Sequence, residues 1–337
     1  MHAESGPTGT GDAGVFLHKS RPDALVEATA VLHGAAVTRA DVSAIEVSGP
    51  GALQCMQGLV TIDLEAHGHA PFQYGALLTT KGMIVSDMWV TVHGTSLMLY
   101  PDCSGTEGLV PVLHRSLPPR LAKIADRSDA RGILRLVGPN ACAFAEEAGF
   151  TVPPEGNAVT GAEQPVARPR GGAPFSLQID CPNADVDTVL TALAAAGVSV
   201  LSRDILELSR ILGGWPSLGA EIDDKTLPQE VRYDDFGGIS YTKGCYLGQE
   251  TVARLHYRGH TNKRMLGLRL ENIPDATDRT LKREDRTVGR LTSAAWLGPK
   301  HGYLGLGMIR REVGPGEIVT SGGVPMETAN LPFEIHQ

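Results

Sequence analysis

Apolar residues recur in this chain with two periods, and the period changes repeatedly along it. From Pro22 to Ala36, Leu25, Ala28 and Leu32 fall at helical spacing and predict a helix. Ile45-Glu-Val-Ser48 alternates as a strand does and stops at Gly49-Pro50-Gly51. Ala52 to Leu59 then places Leu53 and Met56 on one helical face, before Gln57-Gly-Leu-Val-Thr61 and Asp63. Tyr74 to Thr80 and Met83 to Val92 read as two strands joined by a hairpin turn at Thr80-Lys81-Gly82. Leu97 to Tyr100 is a further strand, and Thr106 to Leu117 a helix ended by Pro118-Pro119.

Ile124 to Ser128 and Gly132 to Val137 are strands, and Ala141 to Ala148 is helical. The run from Gly132 through Gly138-Pro139-Asn140 into that helix repeats the strand, Gly-Pro turn and helix of 45–56, which suggests two related modules. Residues 150–174, rich in Pro, Gly and Ala, read as loops. Phe175 to Ile179 is a strand, Val186 to Ala196 a helix closed by Gly197, and Ile205 to Ile211 another helix. After Gly259 the helical period disappears. Arg264 to Leu270, Val288 to Thr292, Gly305 to Arg310 and Glu317 to Thr320 alternate between Gly/Pro turns, which predicts a small β-barrel.

Composition narrows the class. The 337 residues suffice for two or three domains, and 42% hydrophobic with 20% charged residues is ordinary for globular cores. A net charge of -8 gives no global case for nucleic-acid binding, so no direct nucleic-acid partner is expected. Five scattered cysteines, odd in number and without C-x-x-C, argue against a disulfide scaffold or a closed metal site and fit a reducing cytoplasm. No apolar run approaches the ~20 residues of a membrane span, and no secretory signal pattern opens the chain. The Gly/Ser/Thr-rich residues 1–14 are expected to be disordered. His67 and His69, in a His/Gly/Pro loop, are read as an exposed pair before a metal site.

The densest chemistry lies in Tyr241-Thr-Lys-Gly-Cys-Tyr-Leu-Gly-Gln-Glu-Thr-Val-Ala-Arg254. Lys243 stands two positions before Cys245, and a cation near a thiol favours the thiolate. Beyond Gly248 a helix is expected, with Glu250 and Arg254 at i,i+4 able to pair. On the residues alone, a core cysteine and an ordinary surface pair is an equal alternative. Asp87 sits in an otherwise apolar strand, where a carboxylate must find donors, stay protonated or face solvent at an edge. Arg203 and Arg210 suit a carboxylate-bearing ligand, or pair with Asp204 or Glu207.

Lys243-Gly-Cys-Tyr-Leu-Gly-Gln-Glu250, with Arg254 and Tyr257-Arg-Gly259, resembles the K-G-C-[FY]-x-G-Q-E-x3-R pattern of the YgfZ family. Those folate-binding proteins are similar in fold to the glycine-cleavage T-protein, an aminomethyltransferase. The likeness is sharp over 241–259 and diffuse from Asp41 to Phe333. It implies an α+β, T-protein-like multidomain fold. The parts would be a discontinuous folate-binding domain over 15–130 and 200–258, a ferredoxin-like domain over 131–199, and an antiparallel barrel over 259–337.

The resemblance also implies tetrahydrofolate or a one-carbon-substituted folate as cofactor, iron–sulfur assembly or client proteins as partners, and indirect support of radical-SAM tRNA modification. It makes Cys245 the working thiol, activated or oriented by Lys243. It assigns Asp87, Tyr74, Lys81, Arg203, Arg210, Gln249, Glu250 and Arg254 to folate. There are departures. Ser86 stands where T-proteins carry the first of two aspartates, Leu212 replaces a glutamate, and Gly171–Ser176 lacks the acid that reads the pterin ring. The alternatives are a folate-dependent aminomethyl- or methyltransferase, and a folate-gated interaction module without chemistry.

Overall fold

The computed structural model describes residues 14–65, 71–161, 163–274 and 278–335. The first thirteen residues and the His67–His69 pair lie outside the described residues.

Three sheets form the framework. The first is antiparallel, in the order Phe72–Leu78, Ile84–His93, Ser96–Pro101, Ile45–Ser48, Lys123–Asp126. Helix Cys103–Ser116 covers one face and buries Leu109 and Leu113 against it. It begins three residues before the sequence predicts.

The second sheet runs Ser199–Val200, Ala36–Arg39, Arg131–Val137, Leu177–Pro182, Val166–Arg168, Asn157–Val159. Ala36–Arg39 thus leaves the N-terminal stretch to pair with Arg131–Val137. The two strand–turn–helix modules read from the sequence both form: Ile45–Ser48 leads to helix Ala52–Gln57, and Arg131–Val137 to helix Ala141–Glu147.

The third sheet closes into a six-stranded antiparallel barrel. Its order is Arg286–Trp296, Thr280–Arg283, Ile318–Ser321, Val324–Ala329, Lys263–Leu270 and Tyr303–Arg310, which returns to Arg286–Trp296. Leu268, Leu281, Leu291, Ile309 and Val319 fill it, as alternation predicts for a small barrel. A short strand, Val15–Leu17, adds in parallel along Ser293–Ala295.

Helix Asp204–Gly213 lies where the second sheet meets the barrel, with Ile205, Leu208 and Ile211 buried. The chain is 5% aromatic, yet its rings concentrate at this junction. Trp89 stacks on Phe72 (4.8 Å between centroids) and lies 5.6 Å from Trp215, which stacks on Phe236 at 3.8 Å. Among the described residues, no helix is long and apolar enough to cross a membrane.

Candidate functional site: an aromatic cavity and an outer cysteine loop

At the junction of the three sheets lies a cavity of about 450 Å³. The strand pair Phe72–Leu78 and Ile84–His93 supplies Tyr74, Asp87 and Trp89 to its lining. Because side chains alternate along a strand, the odd positions 87 and 89 share this face. Asp87 belongs to an inner strand and is buried, so the solvent-facing alternative is excluded. The Tyr74 hydroxyl donates to Asp87 Oδ2 and lies 3.2 Å from the hydroxyl of Tyr233, which is fully buried. Burial pushes the Asp87 carboxyl up to about 7; the nearby Asp102 charge adds to this, and the Tyr74 hydrogen bond opposes it.

Asp102 and Arg135, also in the cavity, escaped the sequence reading. Asp102 follows the strand Ser96–Pro101, and burial raises its pKa, with Arg135 opposing. Arg135 comes from Arg131–Val137 and is buried, which lowers its pKa against the pull of Asp102 and Asp87. Its Nε donates to Gln178 Oε1 at 3.1 Å, its guanidinium lies 4.4 Å from the Phe175 ring centroid, and its Nη2 is buried without a partner. A charged residue amid apolar neighbours was the available signal, as it was for Asp87.

The two arginines nominated for a folate tail differ. Arg203 is exposed beside the cavity and paired with Asp41, which also accepts from Cys103 Sγ at 3.2 Å. Arg210 is buried and spent on internal partners: Glu207 (2.8 Å), Glu221 (2.8 Å), the Trp215 carbonyl (2.7 Å) and Ser293 Oγ (2.9 Å). The pairing alternative therefore holds for Arg210, which ties its helix to the barrel.

The cysteine motif stands apart from this cavity. None of Lys81, Lys243, Cys245, Gln249, Glu250 and Arg254 lines it. Cys245 is exposed on the loop before helix Gln249–Arg258, which starts where Gly248 predicts. Lys243 is buried, and its ammonium donates to the carbonyls of Gln57 (2.6 Å), Val60 (2.7 Å) and Ile62 (2.6 Å). An ammonium has three donors, so none remains for a thiolate. Lys243 anchors the loop that carries Cys245. Burial holds its pKa down to about 8.

Glu250 and Arg254 are both exposed, and among the described residues no ion pair joins them. Lys81 is exposed in the hairpin turn that packs against Gly248. The motif and the cavity are thus joined by one hairpin, with Asp87 near its middle and Gly82 at its turn. A second link is the segment from Tyr233 to Tyr241. Its Gly238 carbonyl accepts from Thr61 Oγ1 (2.6 Å), and its Ser240 amide donates to the Thr61 carbonyl (2.8 Å).

Comparison with known proteins agrees with this architecture. Residues 17–149 match the GCVT N-terminal domain. The glycine cleavage system aminomethyltransferase T from Bartonella henselae shares the fold, with a TM-score of 0.77 at 17% identity over 92% of this chain and 90% of that one. In sequence the chain is YgfZ-like. It is 29% identical over 225 residues to the tRNA-modifying protein YgfZ of Colwellia psychrerythraea, covering 66% of this chain and 67% of that protein. It is 26% identical over 292 residues to the mitochondrial iron–sulfur cluster assembly factor IBA57 homolog of Pyricularia oryzae, covering 80% and 70%. Five further YgfZ proteins align over 31% or less of their length.

Proposed function

We propose that this chain is a cytoplasmic tetrahydrofolate-binding protein acting in iron–sulfur cluster assembly or repair, through which it supports tRNA modification. Relatives named for those two roles support the reading. The observation that carries it is the separation of an exposed thiol, on a loop pinned by Lys243, from a polar and aromatic cavity.

The cavity fits a folate by its contents. Its volume of about 450 Å³ lies in the usual range for small-molecule sites, and Trp89, Phe175 and Trp215 offer flat walls. Tyr74, Asp87, Asp102 and Arg135 would hold the pterin, and exposed Arg203 is the remaining candidate for the glutamate tail. A bound tetrahydrofolate carries one-carbon units. At Asp87, the raised pKa and the Tyr74 hydroxyl keep a proton available near neutral pH.

Cys245 offers one thiolate to an iron–sulfur cluster, and such clusters favour thiolate ligands. One thiolate does not hold a cluster, so the cluster is cargo whose other ligands come from a partner protein, a second copy or small thiols. The deciding experiment is calorimetry with tetrahydrofolate on the wild type and Cys245→Ala, alongside a cluster-dependent tRNA modification in cells lacking the protein. We expect both to bind alike and only the wild type to restore modification. A folded wild type that binds no folate removes the cofactor from this reading. Restoration by Cys245→Ala removes the thiol and favours an interaction module.

The state of Asp87 favours a second reading, folate-dependent aminomethyl or methyl transfer, since a carboxyl titrating near neutrality suits proton transfer. One-carbon transfer by the wild type, lost in Asp87→Asn, would establish it.

A further inference from the structure

A second cleft, of about 690 Å³, shares no lining residue with the aromatic cavity. Helix Asp204–Gly213 gives Leu206 and Arg210 to the cavity, and Ser209 and Leu212 to the cleft. Leu32, Leu212 and Ile335 line the cleft and stay half-buried, with Val31 and Phe333 behind them in the core. The size suits a small molecule, and apolar surface left in water gains by being covered.

The charged lining has one sign. Exposed Lys300 and His33 and half-buried His301 line the cleft, and no acidic side chain does so among the described residues. This is unusual ground in a chain of net charge -8. Burial lowers the His301 pKa, and Lys300, Arg269 and His33 lower it further. Arg269 lies 5.4 Å from the centroid of the Phe333 ring. Helix ends do not account for these cations. Helices Ala24–His33 and Asp204–Gly213 both finish at the cleft, where cations would offset the dipole. The Asn140 amide, however, already donates to the His33 carbonyl at 3.1 Å. Arg232 already donates to the carbonyls of Gly213 (3.2 Å) and Gly214 (2.7 Å). A cleft lined by one sign of charge concentrates the opposite ion.

We propose that this cleft is a second ligand site, which takes a small carboxylic acid with an apolar tail. The tail covers Leu32, Leu212 and Ile335, and the carboxylate meets Lys300 and His301. The site is independent of the folate reading.

Octanoate, 1-octanol and acetate separate tail from charge: the first has both, the second the tail alone and the third the head alone. Calorimetry with each, on the full chain and on the double variant Lys300→Gln/His301→Gln, reads the two contributions. We expect the wild type to bind octanoate about 10- to 100-fold more tightly than octanol, and acetate too weakly to detect. In the double variant octanoate falls to within about twofold of octanol, whose own affinity is unchanged. A thermal melt checks the fold. If the double variant melts early, Lys300→Gln alone, at an exposed position, should still lose part of the preference. A wild type that binds octanoate and octanol alike, or binds neither, overturns the site. So does a preference for octanoate that survives the substitutions, since the acid would then lie elsewhere, the aromatic cavity included.

Discussion

Gly82 and Gly248 face one another so closely that a Cβ built on Gly248 would stand 3.1 Å from the Gly82 α-carbon and 2.5 Å from the Thr79 carbonyl oxygen. Gly248 also holds φ +81°, a conformation that L side chains avoid. The turn of the cavity hairpin and the start of the motif helix therefore meet backbone to backbone, with the Thr251 and Leu78 side chains beside the contact. Gly248→Ala should lower stability by more than ~2 kcal/mol, combining left-handed strain with the clash. Urea denaturation measures this, and an unchanged midpoint would show that the contact is slack.

Lys243 and Cys245 separate structure from chemistry within three residues. Lys243→Met leaves the Gln57, Val60 and Ile62 carbonyls without their donor, at a cost of roughly 2–5 kcal/mol. Cys245→Ala, at an exposed position, should stay within about 0.5 kcal/mol of wild type. Equal melting of the two variants would contradict the anchoring role of the lysine.

Asp87 makes stability depend on pH with a definite sign. Burial raises its folded pKa to about 7, above the unfolded value near 3.9, so the folded state retains a proton that the unfolded state has lost. Its contribution is complete below about pH 4 and is lost as pH rises towards 7. Asp87→Asn keeps an acceptor for the Tyr74 hydroxyl and has no charge to desolvate. From pH 5 to pH 8 the wild type should lose on the order of 2 kcal/mol relative to the variant. Parallel stability curves would exclude Asp87 as the titrating group.

Arg210 and Arg203 should respond differently to the same change. Arg210→Ala strands Glu221 in the interior and should destabilise by about 3–5 kcal/mol. Arg203→Ala removes an exposed pair and should cost no more than ~1 kcal/mol. If Arg203 meets a folate tail, its variant weakens tetrahydrofolate binding while the melting temperature barely moves.

Elements with strong periodicity were legible in the sequence. The helix after Gly248, the hairpin around Gly82, the two strand–turn–helix modules and the barrel all stand where alternation and Gly/Pro punctuation put them. Asp87 was legible because a lone carboxylate in an apolar strand is conspicuous. Arg135 carried the same mark, but its meaning depends on Asp102 and Phe175, which reach it only when sheets from distant segments meet. The donors of Lys243 illustrate a different limit. A lysine two residues from a cysteine invites a side-chain partnership, whereas the turn aims it at carbonyls nearly two hundred positions away.

The strand Val15–Leu17 has a consequence for how the molecule behaves among its own copies. Thr280–Arg283 lies along Arg286–Trp296 only as far as Arg290, so the edge of Ser293–Ala295 is sealed by Val15–Leu17 instead. Remove the chain through Leu17, keeping Arg21 on the buried Glu27, and that edge becomes a bare row of amides and carbonyls, a template for any strand that arrives. Such a truncation would sacrifice colloidal behaviour before it sacrificed fold, with light scattering rising while the melting curve stayed intact.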